Sequence, residues 1–332
     1  MVKKQPKIVC LGGGTGTYTV LSGLRDYPVE LTAIISMADS GGSNRVLRDE
    51  FGILPTSDIR QALVALADNH GDREIFRQLF AYRFHQGTGI AGMTFGNLFM
   101  AALSDILGSQ LRAIEETAKI LHVKGQILPM TLDDAQLLAR YENGYQVVGE
   151  HYIDEPRHDG KLKIVELETI PRAWAYKKAL EAILMADLVI LGPGDLYTSL
   201  VCNLIVDGIP RALKKTKGKV LFVMNMMARY GQSYKMTAKD HLAVIEKYLG
   251  KAAVDYVLIN NNLSFPPSIL KKYKEEHSFP VKDDLGNAVG VKVIRSDFLS
   301  SLVFKKAAGD RLKRSMIRHD PQKLARAIMK LV

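Results

Sequence analysis

Much of what usually betrays an enzyme is missing from this sequence. There is no GxSxG elbow, no HExxH segment and no nucleophile beside a legible base, nor a close carboxylate pair of the glycosidase kind. Cysteine is nearly absent. Cys10 and Cys202 stand isolated in apolar contexts and read as two reduced, buried thiols rather than a disulfide or a metal pair. Eight histidines fall without paired-ligand spacing, so no zinc site is legible. No stretch approaches the roughly 20 apolar residues that span a bilayer. The basic opening Lys3, Lys4 and Lys7 precedes too short an apolar run, Ile8 to Leu11, to read as a signal peptide. The expected location is cytoplasmic. Linkers, repeats and low-complexity tracts are lacking too.

What remains is a chain of 332 residues, 47% hydrophobic and 24% charged, long enough for a full core in one large α/β domain or two smaller ones. Net charge is +10, and between Lys305 and Lys330 nine Lys/Arg face two Asp. A basic tail can bind nucleic acid, but no helix-turn-helix, RNP, KH or zinc-finger pattern accompanies it and aromatics are sparse there. A solvated basic face near an anionic small ligand fits better, and no nucleic-acid partner is expected.

Short β-rich apolar runs alternate with helical patterns, as in parallel βαβ units. Strands are expected at Lys7–Leu11, Leu31–Met37, Asp187–Leu191, Lys219–Asn225, Val254–Asn260 and Val291–Ile294. Helical periodicity marks Ser57–Asp68, Arg73–Arg83, Thr94–Leu107 and Leu111–Leu121. Alternating runs follow at Gln136–Tyr141 and Gln146–Ile153, joined by the turn signal Asn143-Gly144, and then at Lys161–Thr169. The pattern predicts one composite α/β domain: a Rossmann-like parallel sheet with helices on both faces. Its core would be residues 1–56 and 170–332, with a helical and β-hairpin insertion over about 57–169.

Chemistry is concentrated where strands run into polar loops. "GGGTGT" follows the first strand, with glycines at Gly12, Gly13, Gly14 and Gly16. It fails the dinucleotide fingerprint because Thr17 stands where a glycine is needed, which disfavours a nicotinamide dehydrogenase. It fails the P-loop pattern because no lysine follows. What it keeps is a backbone free to turn toward a phosphate, a helix expected from Tyr18 to Arg25, and the hydroxyls of Thr15 and Thr17. After the second strand, Asp39 stands where a carboxylate could hold a ribose hydroxyl, ligate Mg²⁺ or cap a turn. Gly41, Gly42 and Ser43 form a second anion-facing loop, and Arg45, Arg48 and Arg60 could meet phosphates. Thr56 or Ser57 reads as a helix N-cap; Asn97 reads as a cap or a ligand contact. "GPGDLYTSL" is a third such transition, where Gly192 and Gly194 flank Pro193, and Thr198 and Ser199 could cap a helix or bind a phosphate.

"GGGTGT", "ADSGGS", "FGILPTSDIRQALVALAD", "YRF", "FGNLF", "GPGDLYTSL" and "DYVLINN" occur in an order that resembles the CofD-like superfamily, over nearly the whole chain. The nearer resemblance is to its YvcK branch, the gluconeogenesis factors. That resemblance implies a Rossmann-like sheet, a UDP-N-acetylglucosamine-like ligand, and a role in cell shape and peptidoglycan synthesis during gluconeogenic growth. It maps family pocket positions onto Gly12–Gly16, Asp39, Asn97, Gly192–Gly194 and Asn225. It also associates Tyr273 in "KKYKEE" and Arg318 in "IRHDP" with the nucleotide-sugar. A tyrosine there could stack a uracil, and an arginine could neutralise a diphosphate. Cell-envelope synthesis proteins and a homo-oligomer are compatible partners. The superfamily's other branch implies an Mg²⁺-dependent transfer of a phospholactyl group to a deazaflavin, with Asp39 as the metal-ligand candidate. Two departures stand out: Ser40 where the family usually has a second Asp, and "MMARYGQS" after "VMN", which puts Arg229 and Tyr230 on the pocket rim.

Overall fold

The computed structural model describes residues 5–41, 44, 48–49, 52–68, 73–286, 290–301 and 315–332. In chain order the strands are β1 (Lys7–Gly12), β2 (Glu30–Ile35), β3 (Gln126–Pro129), β4 (Gln136–Tyr141), β5 (Gln146–Val148), β6 (Ile164–Ile170), β7 (Leu188–Leu191), β8 (Lys219–Val223), β9 (Met227–Ala228), β10 (Tyr256–Asn260), β11 (Phe279–Pro280) and β12 (Lys292–Ser296). Seven of them form one parallel sheet in the order β12-β10-β8-β7-β1-β2-β3.

A strand buried on both faces reads as a near-continuous apolar run, and the central ones do, with Lys7 and Lys219 only at the first positions of β1 and β8. On β1, Val9 and Leu11 enter the core on one face, while Ile8 and Cys10 enter the core on the other. The first face is covered by helices Lys177–Met185, Ile209–Lys215 and Ala238–Leu249, and by the small antiparallel sheet β5-β4-β6. The second is covered by α1 (Gly14–Leu24), α2 (Ser57–Leu66) and the later helices Gln110–Ile120 and Pro321–Ile328. The expected Rossmann-like architecture, with helices on both faces, is the observed one.

Three expectations change. First, β3 lies inside the segment read as an insertion yet pairs with β2 from Thr32↔Gln126 to Ile35↔Pro129. At four residues, with no glycine-rich loop behind it, it carries little periodic signal. Second, α1 begins at Gly14, not Tyr18, because Gly13 serves as its extended N-cap (φ −159°). Gly14 and Gly16 therefore lie in its first turn. Third, the run expected as strand to Ile153 stops at Val148: Gly149 turns with φ +99° and Glu150–Asp154 is helical.

One glycine is fixed by helix packing alone. A Cβ on Gly23 would lie 2.2 Å from the Pro321 carbonyl oxygen and 3.2 Å from Ala325 Cβ, so α1 and helix Pro321–Ile328 cross backbone to backbone there. Backbone cannot rotate out of the way. Gly23→Ala should therefore destabilise the fold by about 1–3 kcal/mol, the usual range for forced overpacking. The urea midpoint checks it, with an unchanged slope expected; an unchanged midpoint would refute the tight crossing.

Candidate functional site

The strand order turns over between β1 and β7. From β1 the chain steps outward to β2 and β3, then returns to β7 and proceeds the other way to β12. In open parallel sheets the crevice beyond such a point is where ligands bind. Here a cavity of about 570 Å³ opens there. Its edges come from the loop after β1, the loop after β7, the loop after β8, the short helix Glu150–Asp154 and the segment 315–319.

The glycines of the first loop have separate reasons. A Cβ on Gly16 would sit 1.9 Å from the Pro193 carbonyl oxygen, so the loops after β1 and β7 meet through bare backbone. A Cβ on Gly13 would lie 2.3 Å from Asp58 Oδ2, and one on Gly12 2.5 Å from Thr17 Oγ1. Of these four only Gly14 faces open space, with φ +63° and nothing within 4 Å of the place a Cβ would take. Gly13, Gly14, Thr15 and Gly16 line the cavity; Gly12 lies behind it. The first-turn N–H groups of α1 have no intrahelical acceptor and lie at this edge.

On the second loop, Gly194 donates its N–H to Asn225 Oδ1 (3.1 Å) and accepts from Asn225 Nδ2 (2.5 Å). Asn225 thus holds the loop and lines the cavity with it; Gly192 supports from behind with φ +80°. Thr198 also lines the cavity, but the phosphate role read for its turn meets a competitor. Gln232 Oε1 already accepts the N–H groups of Tyr197 (3.0 Å) and Thr198 (3.2 Å), and Gln232 Nε2 donates to Thr198 Oγ1 (2.9 Å).

Asp39 lines the cavity and Gly41 stands beside it; Gly42, Ser43 and Arg45 lie outside the described residues. Asp39 accepts from Gly41 N (2.9 Å) and Asn44 Nδ2 (2.6 Å). Thr56 is the N-cap residue of α2, as read, but its side chain makes no capping bond; Asn44 Oδ1 instead accepts the N–H groups of Thr56 (3.1 Å) and Ser57 (3.2 Å). Ser40 Oγ accepts from His151 N (3.1 Å). Among the described residues no three His, Cys, Asp or Glu side chains are arranged to hold a metal. Both Asp39 oxygens are already engaged by protein donors, and its neighbour Ser40 is a neutral hydroxyl, so a cation here would depend on a ligand's own phosphates for most of its coordination.

Asn97 is neither the cap nor part of the cavity wall. Thr94 caps its helix, and the buried Asn97 side chain accepts from Arg60 Nε (3.0 Å) and donates to Ser57 Oγ (3.0 Å), both of which line the cavity. Arg48 pairs with Asp134 instead of facing the pocket. Tyr273 and Arg318 both line it: Tyr273 Oη accepts from the N–H groups of Met316 (2.8 Å) and Ile317 (3.2 Å), and Arg318 Nε donates to the Ser315 carbonyl (2.8 Å).

An acidic wall, which no sequence motif announces, faces these groups. Asp58, Glu150, Asp154 and Asp195 join Asp39 at the cavity. Arg229, directly after β9, donates to Asp154 (2.6 Å) on the short helix Glu150–Asp154 and to Asp195 in the loop after β7, tying the three segments together. Gln232 Nε2 adds a bond to Asp154 Oδ1 (2.8 Å). Although Arg229 opposes the shift, burial and the neighbouring Asp39, Asp154 and Asp58 hold Glu150 well above the usual carboxyl range. Burial likewise pushes Asp154 up to about 7 despite Arg229. Cys202, buried against Ser36, has its thiol pushed up to about 12, which makes it a poor nucleophile.

The family model for the 2-phospho-L-lactate transferase CofD matches residues 8–299. The chain belongs to the CofD family. It is similar to the gluconeogenesis factor of Bacillus subtilis, 35% identical over 331 residues, 99% of each chain. It is also 35% identical to the gluconeogenesis factor of Halalkalibacterium halodurans over 328 residues, 98% of this chain and 96% of that one. A crystal structure of a Bacillus halodurans protein superimposes with a TM-score of 0.87 at 34% identity, covering 98% of this chain and all of the other. In this CofD-family chain the glycine-rich loops belong to the strand ends of one parallel sheet.

Glu150 gives a pH test. A carboxyl whose folded pKa is raised binds its proton where the unfolded chain has lost it, so its contribution to stability falls as pH rises above the ordinary carboxyl range. Glu150→Gln keeps the neutral shape and removes that proton. The stability of the variant relative to the unaltered protein should grow between about pH 5 and about pH 7, by at most about 1.4 kcal/mol per pH unit. Urea unfolding at both pH values checks it; a difference independent of pH would mean that Glu150 is ionised in the fold.

Proposed function

We propose that this chain is a gluconeogenesis factor that binds a UDP-sugar of the UDP-N-acetylglucosamine kind and regulates cell-envelope synthesis, and so cell shape, without turning its ligand over. The observation that carries the reading is the open backbone position at Gly14, set at the N-terminus of α1 on a 570 Å³ cavity beyond the sheet's turnover point. Arg60, Arg229 and Arg318 supply positive charge around it, and Tyr273 supplies a ring. A diphosphate suits the first set and a base the second. The relatives named gluconeogenesis factor support the gluconeogenic part of the reading, and the proposal takes the cytoplasm as the place of action.

The second reading is an Mg²⁺-dependent transfer of a phospholactyl group to a deazaflavin, favoured by the description of the family model that matches. Phosphoryl-type transfer needs the reacting charge neutralised, usually by a metal held on carboxylates. Both Asp39 oxygens accept protein hydrogen bonds and Ser40 is a poor metal ligand, which supports the binding role instead.

Calorimetry with UDP-N-acetylglucosamine tests the choice. Gly14→Asn tolerates the positive φ while adding a side chain toward the cavity. It should leave melting nearly unchanged and weaken binding by at least about tenfold, the effect of losing one hydrogen bond to a charged group. Binding by the unaltered protein should persist in EDTA. Phospholactyl turnover that is lost in Asp39→Asn would instead establish the transferase.

A further inference from the structure

Among the described residues a few buried side-chain atoms have no hydrogen-bond partner, and one of them, His319 Nε2, belongs to a residue that lines the cavity. His319 is 8% exposed. It sits on a segment that cannot easily swing away. Ser300 N–H donates to the Arg318 carbonyl (2.9 Å), Asp320 N–H donates to the Phe298 carbonyl (2.8 Å), and Tyr273 Oη holds the N–H groups just upstream. The Met224 backbone favours the protonated ring against burial, as an acceptor of the N–H on the other nitrogen would, and with that nitrogen protonated the neutral ring presents Nε2 as an acceptor. Burial pushes the imidazolium down to about 4, so the ring is neutral at physiological pH.

A buried acceptor without a donor is unfavourable unless something else supplies the proton. The neighbouring cavity surface says what kind of group that is. Tyr273, Met226 and Ile317 are buried and line the same cavity, giving it an apolar and aromatic stretch of wall. Sugar hydroxyls and phosphates do not suit that surface, but a heterocycle does. Resting on the nucleotide-sugar reading above, we propose that His319 determines base specificity: its Nε2 accepts the imide N–H of the ligand's uracil. A cytosine, which presents a bare ring nitrogen at that position, would leave two acceptors facing each other.

The test compares UDP, N3-methyl-UDP and CDP by calorimetry on the unaltered protein, on His319→Phe and on His319→Gln. The unaltered protein should prefer UDP to both analogues by on the order of tenfold to a hundredfold, the range for stranding a buried polar group. His319→Phe keeps a buried ring but no acceptor and should bind all three nearly alike. His319→Gln restores an acceptor near the same place and should recover part of the preference. If His319→Phe does not fold, the N3-methyl comparison on the unaltered protein decides alone. Equal binding of UDP and N3-methyl-UDP, or a preference that survives in His319→Phe, overturns the role of His319 while leaving the nucleotide reading intact. No binding of any nucleotide or UDP-sugar overturns that reading and the inference with it.

Discussion

Everything at the site depends on two loops touching through backbone. The absence of a side chain at Gly16 lets the turn after β1 press against the Pro193 carbonyl, at the one place in the sheet where the strand order turns over. Because β1 and β7 are neighbours, paired from Ile8↔Leu188 to Leu11↔Leu191, their loops emerge side by side. A Cβ between them would separate the loops and widen the crevice. The closeness orients the α1 N-terminus and the open position at Gly14 toward the same volume. Asn225, clasping Gly194 from the end of the next strand, extends that geometry by one more loop.

Around this backbone frame the charges divide into two kinds. Arg229 is held between Asp154 and Asp195, so part of its charge is used to fasten the segment after β9 to the short helix Glu150–Asp154. Such an ion pair specifies geometry more than it adds stability, since desolvation offsets much of the Coulombic gain. Arg60 is aimed by the buried amide of Asn97. The cavity therefore combines a cationic set with a wall of carboxylates, some of them favouring the neutral form. A ligand that carries both phosphates and hydroxyl groups fits that mixture better than a simple polyanion.

The parts legible in the sequence are those whose signal is local. Six strands of the parallel sheet show as apolar runs, most of them ending in glycine or polar loops, and the cavity edges at Gly13–Gly16, Asp39 and Gly194 follow from that pattern. The seventh strand, β3, is too short to stand out. The acidic wall was hidden because Asp58, Glu150 and Asp195 are far apart in the chain and meet only when the insertion folds back on the sheet. Asn97 shows the opposite error: a residue in a conspicuous motif turns out to support the site through Arg60 and Ser57 rather than line it. The amide of Asn44 bonding the first N–H groups of α2, and His319 Nε2 buried without a partner, are facts of packing that no spacing rule encodes.

The central claim is that the cavity framed by Gly16 and Pro193 receives a nucleotide-sugar. Native mass spectrometry of freshly purified protein tests it most directly, because a ligand held in such a crevice can survive purification. An adduct with the mass of a UDP-sugar is expected on the unaltered protein and is expected to be absent from Gly14→Asn. An adduct with the mass of a deazaflavin or its phospholactyl product, retained in Gly14→Asn, would contradict the claim.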